Sequence, residues 1–234
     1  MHVWVQSLHR VEQHVDCLLG ALSDEERRRV GRYRRLEDQR RSIVARSTLR
    51  LLLGRYLGLP AHDVELAQHP GGKPCLAGGL SATQLEFNLS DAHELVALAF
   101  TVGSPVGVDV EHVHRRVDTE AVAARFFAPG EVAALRLLEG EQRRLAFFRC
   151  WTRKEAFLKA TGEGLRGGLD SFDVSVGPGS ATSVLACDGS ARRGGSWSMR
   201  DIEVPAGYVG TVVVRGDLSD LTVRPGPLGR PPLT

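Results

Sequence analysis

Val106-Gly107-Val108-Asp109-Val110-Glu111 divides the chain into two halves. Its valines alternate with other residues, which is typical of a β-strand, and residues two apart in a strand project to the same face. Asp109 and Glu111 therefore point together, and Val108 and Val110 point to the opposite, apolar face. Neighbouring carboxylates repel each other unless a cation lies between them, and Mg²⁺ accepts carboxylates together with waters and phosphate oxygens. The pattern indicates either a magnesium site or the solvated edge of a sheet.

A second informative segment, residues 151–159, has the sequence WTRKEAFLK and lies in a stretch with helical periodicity. Residues four apart share one face of a helix, so Trp151, Glu155 and Lys159 project to the same side. On that face Glu155 is a candidate third metal ligand or general base, and Lys159 is a candidate phosphate contact. The alternative is a solvated Glu–Lys pair beside a core tryptophan.

Two further segments have the composition of phosphate-binding elements. The turn Pro70-Gly71-Gly72-Lys73-Pro74 has glycines that allow a backbone to approach a phosphate closely. Asn88-Leu89-Ser90 ends a predicted strand and offers a hydroxyl and backbone N–H groups to a pyrophosphate. A plain surface turn and an ordinary strand end are the alternatives for these two segments.

The chain contains few lysines. Only three of its 30 basic residues are lysines, namely Lys73, Lys154 and Lys159. A guanidinium does not replace a compact ammonium at a tight phosphate site, so each lysine is a candidate for such a site. Chance retention of three lysines in an arginine-rich sequence is the alternative.

The composition is ordinary for a globular protein, since 42% of the 234 residues are hydrophobic and 25% are charged. No stretch approaches the roughly 18 apolar residues of a membrane span, and the N-terminus lacks the order of a secretory signal. A net charge of +2 gives no indication of a nucleic-acid partner. The four cysteines are scattered without a CxxC pair, so we expect free thiols and a cytoplasmic location.

The periodicity predicts helices and short antiparallel strands on both sides of residues 104–107. In the first half it predicts, in chain order, a strand over 2–6, a helix over 37–57 and strands over 85–90 and 94–102. Residues Ser23–Glu26 have the pattern of a capping box at the start of a helix. In the second half it predicts a strand over 106–111, helices over 117–127, 130–138 and 141–160, and strands over 171–176, 182–187, 196–204 and 208–214. Residues 103–105 have the composition of a hairpin connection.

This element content predicts an α+β fold with two similar lobes and a cleft between them. The expected lobes are residues 1–105 and 106–219, and residues 220–234 are expected to form a loose Pro/Gly-rich tail.

Taken together, the segments resemble the Sfp-type 4′-phosphopantetheinyl transferase family. Its signatures look like (V/I)-G-(V/I)-D-(V/I)-E and (F/W)-x-x-(K/R)-E-(A/S)-x-x-K, which stand here as VGVDVE and WTRKEAFLK in the expected order. The sequences GKP at 72–74, FNLS at 87–90, RFF at 125–127 and GEGL at 162–165 also fit. The resemblance covers roughly residues 20–175.

The resemblance implies two α+β lobes in a pseudo-twofold arrangement, with coenzyme A bound in the cleft. It implies that Mg²⁺ is held against the pyrophosphate by Asp109, Glu111 and Glu155, and that Lys159 contacts phosphate. The remaining implied contacts to the nucleotide and its phosphates are Arg29, Arg41, Ser42, Lys73 and Ser90.

The implied reaction is transfer of 4′-phosphopantetheine from coenzyme A to a serine of an acyl or peptidyl carrier protein, with release of adenosine 3′,5′-bisphosphate. Asp109, Glu155 and Lys159 are the implied catalytic residues, with Glu155 accepting the serine proton. The segment from Arg115 to Leu138 is the candidate carrier surface, with Arg115, Arg116, Phe126 and Phe127. We expect at least one of the two phenylalanines to lie in the core, and a monomer to suffice.

Two other classes of function remain open at this level. One is a non-catalytic module that binds coenzyme A or a carrier protein, and the other is a magnesium-dependent nucleotide phosphohydrolase. Retention of all three acids and both lysines of the second motif disfavours the first class, and the second would use water in place of a protein serine.

The chain departs from the family pattern after Ser90, where Asp91 stands in place of a histidine. An aspartate there would repel a pyrophosphate unless it turned away or met the cation, and His93 is a candidate substitute. His112 and His114 follow the acidic pair, and we expect them to be loop histidines because Mg²⁺ prefers oxygen ligands.

Overall fold

The computed structural model describes residues 1–11, 15–162, 164, 168–177, 184–187 and 196–228. Its helices are α1 (Val15–Ala21), α2 (Asp24–Val30), α3 (Leu36–Leu57), α4 (Thr119–Phe126), α5 (Pro129–Arg136) and α6 (Gly140–Thr161). Its strands are β1 (His2–Ser7), β2 (Leu66–Gln68), β3 (Pro74–Leu76), β4 (Leu85–Ala92), β5 (Leu95–Val102), β6 (Val106–His112), β7 (Phe172–Val174), β8 (Val184–Cys187), β9 (Trp197–Asp201), β10 (Tyr208–Arg215) and β11 (Thr222–Pro225). The predicted GEGL residues Glu163 and Leu165 and the tail beyond Leu228 lie outside these ranges.

The first lobe is built on a four-stranded sheet with the order β11-β1-β5-β4. The 22-residue helix α3 covers one face of this sheet, where Leu49 and Leu53 pack in one core cluster with Phe87, Leu98 and Phe100. Every residue from Leu95 to Phe100 is buried, because β5 is covered on both faces. Central burial explains why this strand reads as a continuous apolar run.

The second lobe repeats the plan with a three-stranded antiparallel sheet of order β6-β10-β9. The helix α6, also of 22 residues, packs on one face with a core rich in phenylalanine. Each lobe is therefore one long helix on a mainly antiparallel sheet, and the predicted α+β fold of two lobes is confirmed.

The two sheets pack against each other through a third apolar cluster. Alternate residues of β6 enter it, namely Val106, Val108 and Val110, and they meet Ala97 and Ala99 of β5. The residues between them, Gly107, Asp109 and Glu111, consequently face the helix α6. One face of β6 is therefore apolar core, and the other has the two candidate acids.

Local signals set the ends of the helices. Ser23 Oγ accepts from Glu26 N at 3.2 Å, and Glu26 Oε2 accepts from Ser23 N at 3.1 Å, so the predicted capping box is confirmed. The long helices α3 and α6 both end at a left-handed glycine, Gly58 with φ 68° and Gly162 with φ 75°.

Gly107 allows α6 to lie directly on β6. A Cβ atom at this position would stand 2.0 Å from the Ala156 carbonyl oxygen and 2.5 Å from the Ala160 nitrogen. Both are backbone atoms that side-chain rotation cannot move, so the helix and strand can be this close only with glycine at position 107.

Two sequence predictions need correction. The turn at 103–105 does not form a hairpin, because β5 pairs with β1 and β4 while β6 pairs with β10. The turn instead carries the chain from one sheet to the other. The end of the chain is also not wholly a loose tail, because Thr222–Pro225 forms β11 and pairs in parallel with β1.

No helix within the described ranges is both long enough and apolar enough to cross a bilayer. Cys75 and Cys150 are free thiols, as expected, and the side chains of the other two cysteines fall outside what the structure describes.

We predict that Gly107→Ala destabilises the fold by about 3 kcal/mol or more, because the new methyl group would overlap the backbone of α6. Urea unfolding of the two proteins measures the difference. Gly79→Ala is the matched control, because that glycine is exposed and a Cβ there meets nothing within 4 Å. Equal unfolding midpoints for Gly107→Ala and the wild type would show that α6 does not rest on β6 as described.

Candidate active site

The ammonium of Lys159 joins three elements at the junction of the lobes. Its Nζ atom donates to Ser90 Oγ of β4 at 2.9 Å, to Asp109 Oδ1 of β6 at 2.7 Å and to the Val108 carbonyl oxygen at 3.3 Å. Ser90 Oγ also donates to Asp109 Oδ1 at 2.7 Å. We call Ser90, Asp109 and Lys159 the Lys159 cluster; it contains three of the predicted site residues and draws on both lobes.

The free edge of β6 brings Ser90 to this position. One edge of β6 pairs with β10, and on the other edge two backbone N–H groups donate to side chains of β4. Val108 N donates to Asn88 Oδ1 at 2.9 Å, and Val110 N donates to Ser90 Oγ at 3.4 Å. Buried backbone donors require partners, so the FNLS sequence links the two lobes in addition to its predicted role near phosphate.

One carboxylate oxygen of Asp109 has no hydrogen-bond partner among the described residues. The residue is 5% exposed, and its Oδ2 atom is buried with no hydrogen-bond partner in the described part of the chain. A buried polar atom without a partner is costly, and a charged one more so. Oδ2 is therefore the atom at this site that most needs a further positive group.

Glu111 and Glu155 lie within electrostatic reach of Asp109. Burial, and then the charge of Asp109, raises the pKa of Glu111 to about 7, although Arg115 and Lys159 act in the opposite direction. Burial and then Asp109 also raise the pKa of Glu155, against Lys159. Glu111 forms an ion pair with Arg115 at 3.1 Å, whereas Glu155 has no ion pair or hydrogen bond among the described residues.

The donor set suits a hard divalent cation. Three carboxylates with no sulfur or nitrogen ligand among them match the preference of Mg²⁺ for oxygen, and an unpartnered buried oxygen belongs to one of them. Within the described ranges, however, no three His, Cys, Asp or Glu side chains are already gathered at the distances of a metal shell. Like charges repel, and here Lys159 and Arg115 compensate Asp109 and Glu111.

The side chain of Lys73, which precedes β3, reaches the start of β6. Its Nζ atom donates to the Val106 carbonyl oxygen at 2.8 Å, and burial lowers the pKa of its ammonium. The same loop touches the end of α6, where a Cβ at Gly71 would stand 2.5 Å from the Gly162 carbonyl oxygen. The glycine-rich turn is therefore an exposed turn that also contacts the second lobe.

A polar cleft of about 400 Å³ collects two of the predicted nucleotide residues, Arg29 and Ser42, beside Pro74 of the Lys73 loop. Arg46 also lines it and was missed by the sequence interpretation. The signal for it was present, because Arg46 lies four residues after Ser42 on the same helix. Neither Arg29 nor Arg46 has an ion-pair partner in the described residues, so both are available to an anion.

Arg41 does not line this cleft. It forms ion pairs with Asp38 at 2.6 Å and with Asp91 at 2.9 Å. Asp91 has therefore turned toward an arginine, which is one of the two outcomes that avoid repulsion of a pyrophosphate.

His93 does not take the position expected for a substitute of the missing histidine. Its ring packs against His112 with centroids 4.8 Å apart, and His112 in turn packs against His114 at 5.6 Å. His112 is the last residue of β6 and not a loop residue, and strand alternation directs it away from Asp109 and Glu111.

Lys154 is not a phosphate ligand. It is fully buried, forms an ion pair with Glu131 Oε1 at 2.8 Å and donates to the carbonyl oxygens of Leu169 and Phe172. Glu131 in turn accepts from the backbone of Ala128 and Val174. This network ties α5, α6 and β7 together, so of the alternatives left open for the three lysines the phosphate contact does not apply to Lys154.

Of the two adjacent phenylalanines in the candidate carrier surface, Phe127 is a core residue and Phe126 is exposed. Phe127 is 4% exposed and stacks on Phe147, whereas Phe126 is 37% exposed with Arg125 over its ring. Arg115 lies over the rings of Phe148 and Trp151 while it pairs with Glu111. Arg115 thus connects the acidic site to this surface.

Comparison with known proteins gives matches along most of the chain. A family model described as "4′-phosphopantetheinyl transferase, N-terminal" matches residues 6–102, and one described as "4′-phosphopantetheinyl transferase superfamily" matches residues 105–213. The chain is 33% identical over 216 residues to the 4′-phosphopantetheinyl transferase HetI of Nostoc sp. strain PCC 7120, covering 92% of this chain and 88% of that protein. It is 29% identical over 165 residues to the 4′-phosphopantetheinyl transferase Sfp of Bacillus subtilis strain 168, covering 70% and 71% respectively.

We predict that Lys154→Met lowers the free energy of unfolding by about 3–5 kcal/mol, because it leaves Glu131 buried without its cation. The double variant Lys154→Met with Glu131→Gln recovers part of this loss, since no unpaired charge remains. Arg136→Met, which removes an exposed cation from α5, is the control and changes stability by less than about 0.5 kcal/mol. Urea unfolding measures all three, and a Lys154→Met protein as stable as the control would contradict the buried network.

Proposed function

The chain belongs to the Sfp-type 4′-phosphopantetheinyl transferase family, whose members transfer 4′-phosphopantetheine from coenzyme A to carrier proteins, and we propose that this transfer takes place at the Lys159 cluster. The observation that carries this proposal is the surroundings of Asp109. Its buried Oδ2 has no described partner, and its Oδ1 binds a lysine. Burial and then the charge of Asp109 raise the pKa of two neighbouring glutamates. Three acids and a lysine around one point match what pyrophosphate chemistry requires.

Asp109, Glu111 and Glu155 are the proposed ligands of Mg²⁺. When bound, the cation neutralises charge on the pyrophosphate and helps to orient it. The position of both glutamates supports this assignment, because burial and then the charge of Asp109 raise the pKa of each, and a bound cation would relieve both effects.

Lys159 is the proposed electrostatic catalyst. Its ammonium is only partly buried, with 28% of the side chain exposed, so it remains accessible to a ligand while it is held by Ser90 and Asp109. A fixed cation next to the pyrophosphate stabilises the charge that grows on the leaving group.

Glu155 is the proposed general base. It has no described hydrogen-bond partner, so its carboxylate oxygens are available to accept a proton from the acceptor hydroxyl. The oxygen of the carrier serine bonds to the β-phosphorus of coenzyme A, and the bond from that phosphorus to the bridging oxygen breaks. The serine proton passes to the Glu155 carboxylate, and adenosine 3′,5′-bisphosphate leaves with the bridging oxygen.

The nucleotide end of coenzyme A is proposed to occupy the cleft lined by Arg29, Ser42 and Arg46. The two free guanidinium groups suit the 3′-phosphate, since arginine binds phosphate through a planar fork of donors. Lys73, Ser90 and Arg41 are the proposed contacts between this cleft and the pyrophosphate.

The proposed acceptor is an acyl or peptidyl carrier protein that docks on the Arg115–Leu138 segment. Phe126 and Leu137 are exposed there, among arginines that would complement an acidic helix. Ser90 of one lobe and Asp109 and Lys159 of the other form the cluster within one chain, which supports a monomer as the active form. We also propose a cytoplasmic location, without a nucleic-acid or membrane partner.

We predict that Asp109→Ala and Glu155→Ala each reduce transfer at least about a hundredfold while the protein remains folded. Each protein is incubated with coenzyme A, Mg²⁺ and a panel of apo-carriers, and intact mass measures the gain of one phosphopantetheine. Glu141→Ala is the matched control, because Glu141 is an exposed acid on the same helix as Glu155.

Circular dichroism confirms that the variants fold. Wild-type transfer by either site variant would remove the proposed metal site. Binding of coenzyme A without a mass gain on any carrier would indicate a binding module, and nucleotide release without a carrier would indicate a phosphohydrolase.

A further inference from the structure

Arg41 is held between two elements by two carboxylates. Its Nη2 atom donates to Asp38 Oδ1 at 2.6 Å, and its Nε atom lies 2.9 Å from Asp91 Oδ2. Asp38 is one helical turn earlier on α3, whereas Asp91 belongs to β4 of the sheet below. The side chains of all three are between 30% and 38% exposed, so the group is partly shielded from water.

This ion-pair group is next in the sequence to residues of both parts of the proposed coenzyme A site. Asp91 directly follows Ser90, which binds Lys159 and Asp109. Arg41 directly precedes Ser42, which lines the cleft with Arg29 and Arg46. The side chains of Ser90 and Asp91 leave opposite faces of β4, so the group contacts the proposed site through its chain neighbours.

The contacts of Arg41 leave part of its guanidinium free. Nη2 donates to Asp38 and Nε lies at ion-pair distance from Asp91, while Nη1 has no partner within the described residues. A guanidinium is planar and presents its donors in a fixed fork, so the hydrogen bond at Nη2 and the ion pair at Nε restrict the direction of Nη1.

The charges of the group exclude simple attraction as the role of Asp91. With one arginine and two ionised aspartates, the group carries a net charge of −1 and does not attract phosphate by its total charge. What Asp91 contributes is order, because it restricts a long side chain whose freedom would otherwise be lost when the ligand binds.

We propose that Asp91 is a positioning residue for coenzyme A, holding Arg41 so that its free Nη1 donates to a phosphate oxygen of the nucleotide. The proposal rests on the proposed function, in which Arg41 contacts coenzyme A.

The test measures the KM for coenzyme A and kcat, with apo-carrier saturating, for Arg41→Ala, Asp91→Ala, Asp91→Asn and the double alanine variant. We expect Arg41→Ala and Asp91→Ala each to raise KM about tenfold, the size of one charge-assisted contact, with kcat changed less than about twofold. The double variant should be no worse than Arg41→Ala alone, because Asp91 acts only through Arg41.

Asp91→Asn separates position from charge, since asparagine keeps the acceptor oxygen but not the charge. We expect its KM to be no lower than that of the wild type and to be raised by at most about threefold. It also keeps the test decisive if Asp91→Ala fails to fold, which thermal unfolding reveals. Glu37→Ala is the control, because it removes an exposed acid next to Asp38 and should leave KM unchanged.

Three results would overturn the inference, and they are distinguishable. A lower KM in Asp91→Ala or Asp91→Asn would show that Asp91 repels the ligand. An unchanged KM in Asp91→Ala, with a raised KM in Arg41→Ala, would remove the role of Asp91 and leave the proposed function intact. An unchanged KM in Arg41→Ala would remove Arg41 itself from the coenzyme A site.

Discussion

The contact of the Lys159 ammonium with Ser90 and Asp109 is the interaction on which the site depends. It joins a strand of the first lobe to a strand and a helix of the second. Desolvation offsets much of the Coulomb energy of such a pair, so its main effect is on position and not on stability. Because Asp109 is compensated on one oxygen only, the other remains next to two glutamates and defines where a further cation would bind.

Backbone constraints place that contact at the junction of the lobes. Gly107 lets α6 approach β6 until the helix backbone meets the strand, which brings Lys159 and Glu155 over Asp109. Asn88 and Ser90 satisfy the backbone donors on the free edge of β6 and fix β4 beside it. Small and polar residues in the two motifs therefore have a structural role as well as a chemical one, and substitutions there change geometry before they change charge.

The sequence predicted what depends on local periodicity and missed what depends on distant contacts. Strand alternation and helical spacing correctly placed Asp109 and Lys159 on facing surfaces, since these rules hold within one element. Lys154 lies five residues before Lys159, on another side of α6, and only the packed core shows that this side is buried. The pairing of β11 with β1, and of Asp91 with Arg41, joins residues far apart in the chain, and neither has a local signal. Arg46 had such a signal, because it lies four residues after Ser42 on the same helix. The surrounding sequence contains many arginines, however, so this spacing alone does not identify Arg46 as a ligand.

The central claim is that Asp109, Glu111 and Glu155 converge on one divalent cation when coenzyme A binds. Among the described residues the three carboxylates are not gathered at ligand distances, and burial and then the charge of Asp109 raise the pKa of both glutamates. A cation between them would offset their mutual repulsion. The most direct measurement is anomalous diffraction from crystals grown with coenzyme A and Mn²⁺ in place of Mg²⁺. The account predicts one anomalous peak within about 2.5 Å of oxygens from all three side chains and next to the pyrophosphate. A peak elsewhere, or coenzyme A bound with no cation at Asp109, would contradict it.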